Sequence, residues 1–300
     1  MTDYNYSPSV EKLVTLGSPN DFYGDNDEWT NYLELGFRLD DIPELIRLLG
    51  DDSLRSNDAT EEAYYAHIHA WRVLGQLQVV EAAEPLTRLF ALAGDSDWVT
   101  EDLPIAFGLI GSAAIPALKD YMAQHASDES ARADLVPITL KFIAERHPDT
   151  RNACIAVMVE QLGKYNENTI RLNSFIISEL LDLKAIEAAP VMKAAHAAQR
   201  VDITINGTWQ DVKGELDLDP SVEIPGPEPV EKSLSEAIEA MKSLFNLSGP
   251  SGLAETAEAS YTDMPDPEYV PAPKKRTKAQ AQQKAKRKQE KQSRKRNRKK

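Results

Sequence analysis

"LGQLQVVEAAEPL", residues 74–86, is the clearest indication of the fold in this chain. It joins the end of one helical segment to the start of the next, where Pro85 stands just before Leu86. Related stretches recur as "LIGSAAIPAL" (109–118) and "LLDLKAIEAAPVM" (180–192). Proline is tolerated in the first turn of a helix because the N–H groups there have no intrahelical partner. The recurrence therefore predicts a series of helix pairs.

The prolines also give the period of the repeat. Pro43, Pro85, Pro116 and Pro190 each stand one or two residues before an aliphatic residue, with spacings of 42, 31 and, across two units, 74 residues. The unit that contains Cys154 lacks such a proline, so the repeat is imperfect. Helix pairs with periods of about 30–45 residues are typical of an α-solenoid. Each pair presents an apolar stripe that it cannot bury alone, and the next pair covers it.

The apolar spacing supports an all-α fold. Ile115, Leu118 and Met122 recur at helical spacing, and so does the set Phe175, Ile176, Leu180 and Leu183. No strand-type alternation is long enough to build a sheet, and "RVDITING" (200–207) is interpreted as a loop before a helix near Trp209. "DNDEWTNYLELGF" (25–37) predicts a further helix whose inward residues are Trp29, Tyr32, Leu33 and Phe37.

The three repeated stretches resemble HEAT repeats, and in particular the short HEAT-like repeats named after phycobilisome lyases. The resemblance covers residues 40–218 and implies an armadillo-like α-solenoid of helical hairpins, which we extend to a domain over residues 1–218. Proteins with such repeats include bilin lyases and regulatory scaffolds. In HEAT-like solenoids the second helix of each pair lines the concave surface. If this carries over, the residues expected to face a protein partner are Trp98, Glu101, Asp102, Arg132, Lys141, Arg171 and Asn173.

The composition changes after Leu218. Residues 219–232 are proline-rich and predict a linker. Residues 233–247 predict a short amphipathic helix with Leu234, Ile238, Met241 and Phe245 along one stripe. Residues 248–273 are acidic and proline-rich, residues 274–300 are basic, and we expect both segments to be disordered.

Charge divides the chain into two parts of opposite sign. Residues 274–300 hold 15 of the 34 basic residues and one of the 48 acidic residues, so they carry +14 and residues 1–273 carry −28. We interpret the basic tail as an electrostatic hook for a polyanion. Its ligand could be RNA, DNA or a ribosome, an acidic protein or anionic membrane surface, or the chain's own acidic body. The candidate polyanion-binding residues are Lys274, Lys275, Arg276, Lys284, Lys286, Arg287, Lys288, Arg294, Lys295, Arg296, Arg298, Lys299 and Lys300.

No catalytic constellation, metal site or cofactor motif is predicted. His67 and His69 are two residues apart and would point to different sides of a helix, so we expect one to pack near Trp71 and the other to be solvated. Cys154 is expected to be a buried structural residue, because nothing in its helix would depress the pKa of its thiol. Trp29 and Trp98 are interpreted as hydrophobic anchors between units, with a groove lining as the alternative.

The sequence thus predicts a cytoplasmic, non-catalytic scaffold that binds a protein partner. A single cysteine fits a reducing compartment, and no signal peptide or membrane span is expected. The competing function is a bilin lyase or chromophore-handling protein, which the repeat resemblance alone implies.

Overall fold

The computed structural model of the protein describes residues 4–22, 29–56, 59–94 and 96–218. All of them belong to the first of two units into which the chain divides, Met1–Leu244, and the second unit, Phe245–Lys300, lies outside the described residues. The predicted linker 219–232, amphipathic helix 233–247, acidic segment 248–273 and basic tail 274–300 also lie outside them and stay predictions.

The described residues are all-α, as predicted, and contain no β-strand. The α-helices are α1 (Pro8–Glu11), α2 (Ile42–Leu49), α3 (Glu61–Tyr64), α4 (Ala66–Gln76), α5 (Ala83–Thr87), α6 (Asp97–Glu101), α7 (Leu103–Ile110), α8 (Ile115–Gln124), α9 (Leu135–Arg146), α10 (Arg151–Leu162), α11 (Ile170–Asp182), α12 (Ala189–Ala197), α13 (Ile203–Asn206) and α14 (Trp209–Glu215). The 3-10 turns are Lys12–Thr15, Pro19–Asp21, Tyr32–Leu35, Leu39–Asp41, Asp52–Arg55, Val80–Ala82, Arg88–Gly94, Gly111–Ala114, Pro148–Thr150 and Ile186–Ala188.

Nine of the described helices pack in two rows. The first row consists of α2, α5, α8, α10 and α12, each in contact with the next. The second row consists of α4, α7, α9 and α11, which also pack one on the next. The rows contact each other where α2 meets α4, where α5 meets α7, where α8 meets α9 and where α10 meets α9 and α11. Helices adjacent in a row therefore come from successive segments of the sequence.

The first-row helices begin in the same way. Each follows a 3-10 turn, and in α2, α8 and α12 a proline stands at the second helical position. Pro85 lies within the first turn of α5. In the unit of Cys154, α10 has no proline of its own, but Pro148 opens the 3-10 turn that precedes it. The imperfect repeat in the sequence thus keeps the same local geometry.

The core lies between and within the two rows. Leu118 and Met122 of α8 and Ile176 and Leu180 of α11 are fully buried, as their helical spacing predicts. Cys154 is also fully buried, and burial raises the pKa of its thiol.

Two local predictions are wrong. Within the predicted helix 25–37, the described part forms only the 3-10 turn Tyr32–Leu35, which ends at Gly36 with φ 97°. Tyr32 and Phe37 are buried as expected, but Leu33 is 37% exposed because a short turn cannot keep all its apolar residues on one side. The predicted loop 200–207 contains the short helix α13, which Asp202 caps by accepting a hydrogen bond from the N–H of Thr204.

Within the part of the chain that the structure describes, one helical stretch meets the length and composition criteria for a membrane span. It is Asp97–Gln124, which runs through α6, α7 and α8, and 61% of its most apolar window is buried inside the protein. Core helices of a folded domain satisfy the same criteria, so the expected absence of a span stays a prediction.

Candidate partner-binding groove

A pocket of about 540 Å³ opens on the second row. Its walls come from the end of α4, from α7, from α9 and from the segment around Trp29. We call this pocket the groove, and its lining residues are Trp29, Gln76, Ile105, Gly108, Leu109, Phe142, Glu145 and Arg146. Ile105 and Leu109 are one turn apart on α7, and Phe142 on the adjacent α9 is 37% exposed. The groove therefore has an apolar centre with charged residues at one side.

Glycines let the second-row helices approach closely. A Cβ on Gly75 would lie 3.0 Å from Cα of Ala106, so the backbones of α4 and α7 are nearly in contact. Gly108 faces α9, and its carbonyl accepts a hydrogen bond of 2.9 Å from Nε2 of His147. The floor of the groove is consequently formed in part by backbone atoms.

The wall at Trp29 is fixed by polar contacts over long sequence distances. Trp29 Nε1 donates to Oδ1 of Asp102 at 2.9 Å. Gln76 fixes the residues that come after Trp29. Its Nε2 donates to the carbonyl of Thr30, and its Oε1 accepts from the N–H of Tyr32. The N-terminal segment is thereby attached to α4 and to the start of α7.

A buried ion pair supports this wall. The side chains of Arg72 and Asp102 are 0% and 1% exposed. Arg72 donates two hydrogen bonds to Asp102, of 2.8 and 3.1 Å, and Asp102 also accepts one from Nε1 of Trp71. Arg72 donates further to the carbonyl of Pro19. Such a pair is tolerated because its hydrogen-bonding capacity is used, and removal of one partner would cost about 3–5 kcal/mol.

The two histidines of α4 are both buried, so the expectation that one is solvated is wrong. His67 packs edge-on against Trp71, as predicted, and burial lowers the pKa of its imidazole to about 3. His69 lies 2.7 Å from the hydroxyl of Tyr32 and 2.9 Å from the carbonyl of Gly17, and burial lowers its pKa to about 4. His67 therefore packs in the core, and His69 binds the N-terminal segment. Neither side chain lines the groove.

Charged residues continue from the groove onto α11. Lys141 Nζ lies 2.6 Å from Asp182, 3.6 Å from Glu179 and 3.8 Å from Glu145. Burial raises the pKa of Glu179 to about 7, although the neighbouring Lys141 opposes that shift. Three carboxylates therefore share a single ammonium at this side of the groove.

A second charged cluster lies at the opposite ends of α9 and α11. Arg132 and Arg171 both donate to the carboxylate of Asp134, which is 4% exposed. The Arg171 guanidinium lies 5.1 Å from the ring centre of Phe175. Since Asp134 pairs with Arg171 while Lys141 pairs with Asp182, α9 and α11 run parallel to each other.

The seven residues that were predicted to face a partner differ in their exposure. Glu101 and Arg171 are exposed, and Trp98, Arg132 and Lys141 are partly exposed. Asp102 and Asn173 lie inside the protein instead of on a surface. Asn173 Nδ2 donates to the carbonyls of Tyr165 and Arg200, so this side chain connects loops. None of the seven lines the groove, although Lys141 lies beside it.

The residues that sequence reasoning missed are Ile105, Leu109 and Phe142. Each was interpretable as a core residue of an amphipathic helix, and only the packing of α7 against α9 leaves them accessible. Trp29 lines the groove and also joins two segments, so both interpretations of this residue apply to it. The Arg72 guanidinium lies over the ring of Trp98, 5.5 Å from the ring centre. This contact fits the interpretation of Trp98 as an anchor.

The described residues offer no arrangement of three His, Cys, Asp or Glu side chains that could share a metal ion. No protein-family model, curated protein or solved structure matches this chain.

Proposed function

We propose that the protein is a non-catalytic α-solenoid of HEAT-like hairpins that binds a protein partner in the groove. The observation that carries this proposal is the apolar, accessible centre formed by Ile105, Leu109 and Phe142 on successive second-row helices. Solenoids use the exposed face of such a row as an extended binding surface. Exposed apolar pockets with a charged rim are typical of interaction sites.

The two helical rows support the solenoid interpretation. Successive helix pairs contribute one helix to each row, and each first-row helix opens with the same turn geometry. This is the arrangement expected when each pair covers the apolar stripe of its neighbour. The HEAT-like repeats over residues 40–218 and the domain boundary at 218 belong to the same proposal.

Site-specific photocrosslinking in the native host tests the binding proposal. A photoreactive phenylalanine analogue replaces Phe142 in the groove or, as the control, Arg88, whose side chain is 73% exposed beside the first row. We expect a discrete crosslinked partner from position 142 that is absent at position 88, and its loss when Leu109→Asp is added. Equal crosslinking at both positions, or none at position 142, would reject the groove as a partner site.

The basic residues 274–300 complete the proposal as an electrostatic hook that adds avidity in the cytoplasm. Their charge alone supports it. The lyase-like alternative has only the repeat resemblance in its support and stays a prediction. Chromophore attachment after co-expression with a bilin and an apo-phycobiliprotein, followed by absorbance, would establish it in place of the scaffold.

A further inference from the structure

We infer that the groove recognises a short basic peptide segment that inserts one large apolar side chain beside a lysine or arginine. This inference rests on the proposed function and specifies the chemistry of the partner. Two independent features of the groove carry it, namely its apolar centre and the excess of carboxylates on its α11 side.

The apolar centre requires an anchor residue. Trp29, Ile105, Leu109 and Phe142 form the apolar part of the groove, whose whole volume of about 540 Å³ lies in the range of small-ligand pockets. Their exposed surface gains most from burial against an aromatic or large aliphatic side chain. The walls are fixed by the bonds from Trp29 to Asp102 and from Gln76 to Thr30, so little ordering is needed on binding.

The carboxylates beside the groove favour a basic residue next to the apolar anchor of the peptide. Glu145 and Asp182 have side chains that are each 55% exposed, and both lie within 4 Å of the same ammonium, that of Lys141. Even with Glu179 protonated, these two carboxylates outnumber the one lysine. A cation from a partner therefore finds a complementary site there, whereas an acidic residue is repelled.

The position of Arg146 indicates on which side of the apolar anchor the basic residue of the bound peptide should lie. Among the described residues that line the groove, Arg146 is the only basic one, and its Cδ lies on the Gly108 side, toward α7. The unbalanced carboxylates lie on the other side, toward α11. The basic residue of the bound segment should therefore lie toward α11 from the anchor.

Both features must occur in one segment, and this excludes a purely basic ligand. Residues 274–300 have no aromatic residue and no aliphatic residue larger than alanine. A synthetic peptide of residues 284–300 thus supplies charge without an anchor and serves as a control.

The test uses the full-length chain and fluorescein-labelled twelve-residue peptides of glycine and serine. Each peptide carries one tryptophan and one lysine, spaced one to five residues apart, and fluorescence anisotropy measures the Kd at physiological salt. We expect the best spacing to bind at least tenfold more tightly than the same peptide with serine for tryptophan, and than the 284–300 control. Equal affinity with and without tryptophan would overturn the inference.

Charge variants isolate the contribution of the groove. The double variant Glu145→Gln, Asp182→Asn should remove most of the preference for lysine over glutamate in the peptide, and Glu84→Gln, an exposed acid on α5, should leave it unchanged. Both altered residues are exposed, so thermal melts should show a folded protein. An unchanged preference in the double variant would refute the assigned carboxylates.

The two proposals can fail separately. If position 142 crosslinks a partner through a segment that lacks a large apolar residue next to a basic one, the peptide inference is wrong and the binding groove remains. If position 142 gives no crosslink, the groove is rejected and the inference with it.

Discussion

Glu179 shows how a single side chain responds to the packing of two helices. It lies on α11 with 8% of its surface exposed, facing Lys141 of α9 at 3.6 Å. The other charged groups near it are Asp182 and Glu145. Burial raises the pKa of its carboxyl from 4.5 to about 7, because the ionised form loses hydration that Lys141 replaces only in part.

This shift predicts a pH dependence of stability. Since the folded pKa is above the unfolded value, the folded protein holds a proton that the unfolded chain has lost between pH 4.5 and 7. The stabilising contribution is complete below pH 4.5 and is lost as pH rises through 7. The free energy of unfolding should therefore fall by about 1–3 kcal/mol more from pH 5 to pH 8 in the wild type than in Glu179→Gln.

Urea denaturation at four pH values between 5 and 8 measures this difference. The control is Glu160→Gln, which removes an exposed carboxylate paired with Lys119 and should parallel the wild type. His67 and His69, whose pKa values are lowered by burial, also make the stability depend on pH. Their contribution is the same in all three proteins and cancels in the comparison. Parallel profiles for Glu179→Gln and the wild type would show that the buried carboxyl does not control the slope.

At the scale of elements, close approach of α4 and α7 depends on one glycine. The Cβ of an alanine at position 75 would lie 3.0 Å from Cα and 3.3 Å from the carbonyl oxygen of Ala106, and backbone atoms cannot move aside as a side chain would. Gly75→Ala should therefore destabilise the protein by about 1–3 kcal/mol, as overpacking does elsewhere.

Gly108→Ala is the matched control on α7. Its nearest neighbours would be Cδ of Arg146 at 3.7 Å and the carbonyl oxygen of Phe142 at 3.8 Å, which are ordinary contact distances. Because alanine is the better helix former, this change should be neutral or stabilise by up to about 1 kcal/mol. Thermal unfolding of both variants measures these changes in stability. A larger loss of stability for Gly108→Ala than for Gly75→Ala would contradict the close contact between α4 and α7.

The helices were accessible from sequence because their causes are local. Proline in the first turn and apolar residues at helical spacing depend only on near neighbours, and Pro43, Pro116 and Pro190 stand where that pattern predicts. The 3-10 turns that precede them carry no equally clear signal.

The site was less predictable because its contacts join distant residues. Asp102 was expected to face a protein partner, but it is buried against Trp29 and Arg72, which are 73 and 30 residues away. Asn173 reads as a polar residue on a helix face, yet it binds the carbonyl of Arg200, 27 residues away. Ile105 and Phe142 look like core residues, and only the placement of α7 beside α9 exposes them in the groove.

At the scale of the whole molecule, the sequence separates two kinds of binding chemistry. Residues 1–273 carry a formal charge of −28 and residues 274–300 carry +14. A polyanion such as RNA is repelled by the first and attracted by the second, so any affinity for RNA should depend on the tail alone. The groove, by contrast, combines apolar burial with a few charges and should be much less sensitive to salt.

Salt dependence of RNA binding therefore tests the tail. With single-stranded RNA of mixed sequence, log K should fall linearly with log salt, with a slope of roughly −0.7 for each phosphate neutralised. Replacing every second Lys or Arg in residues 274–300 by Gln removes about half of the 15 positive charges and should halve the slope. Lys119→Gln, which removes one partly exposed charge from the first row, should leave the slope unchanged. If the tail variant keeps the wild-type slope and affinity, the polyanion hook is wrong, because counterion release would then come from elsewhere in the chain.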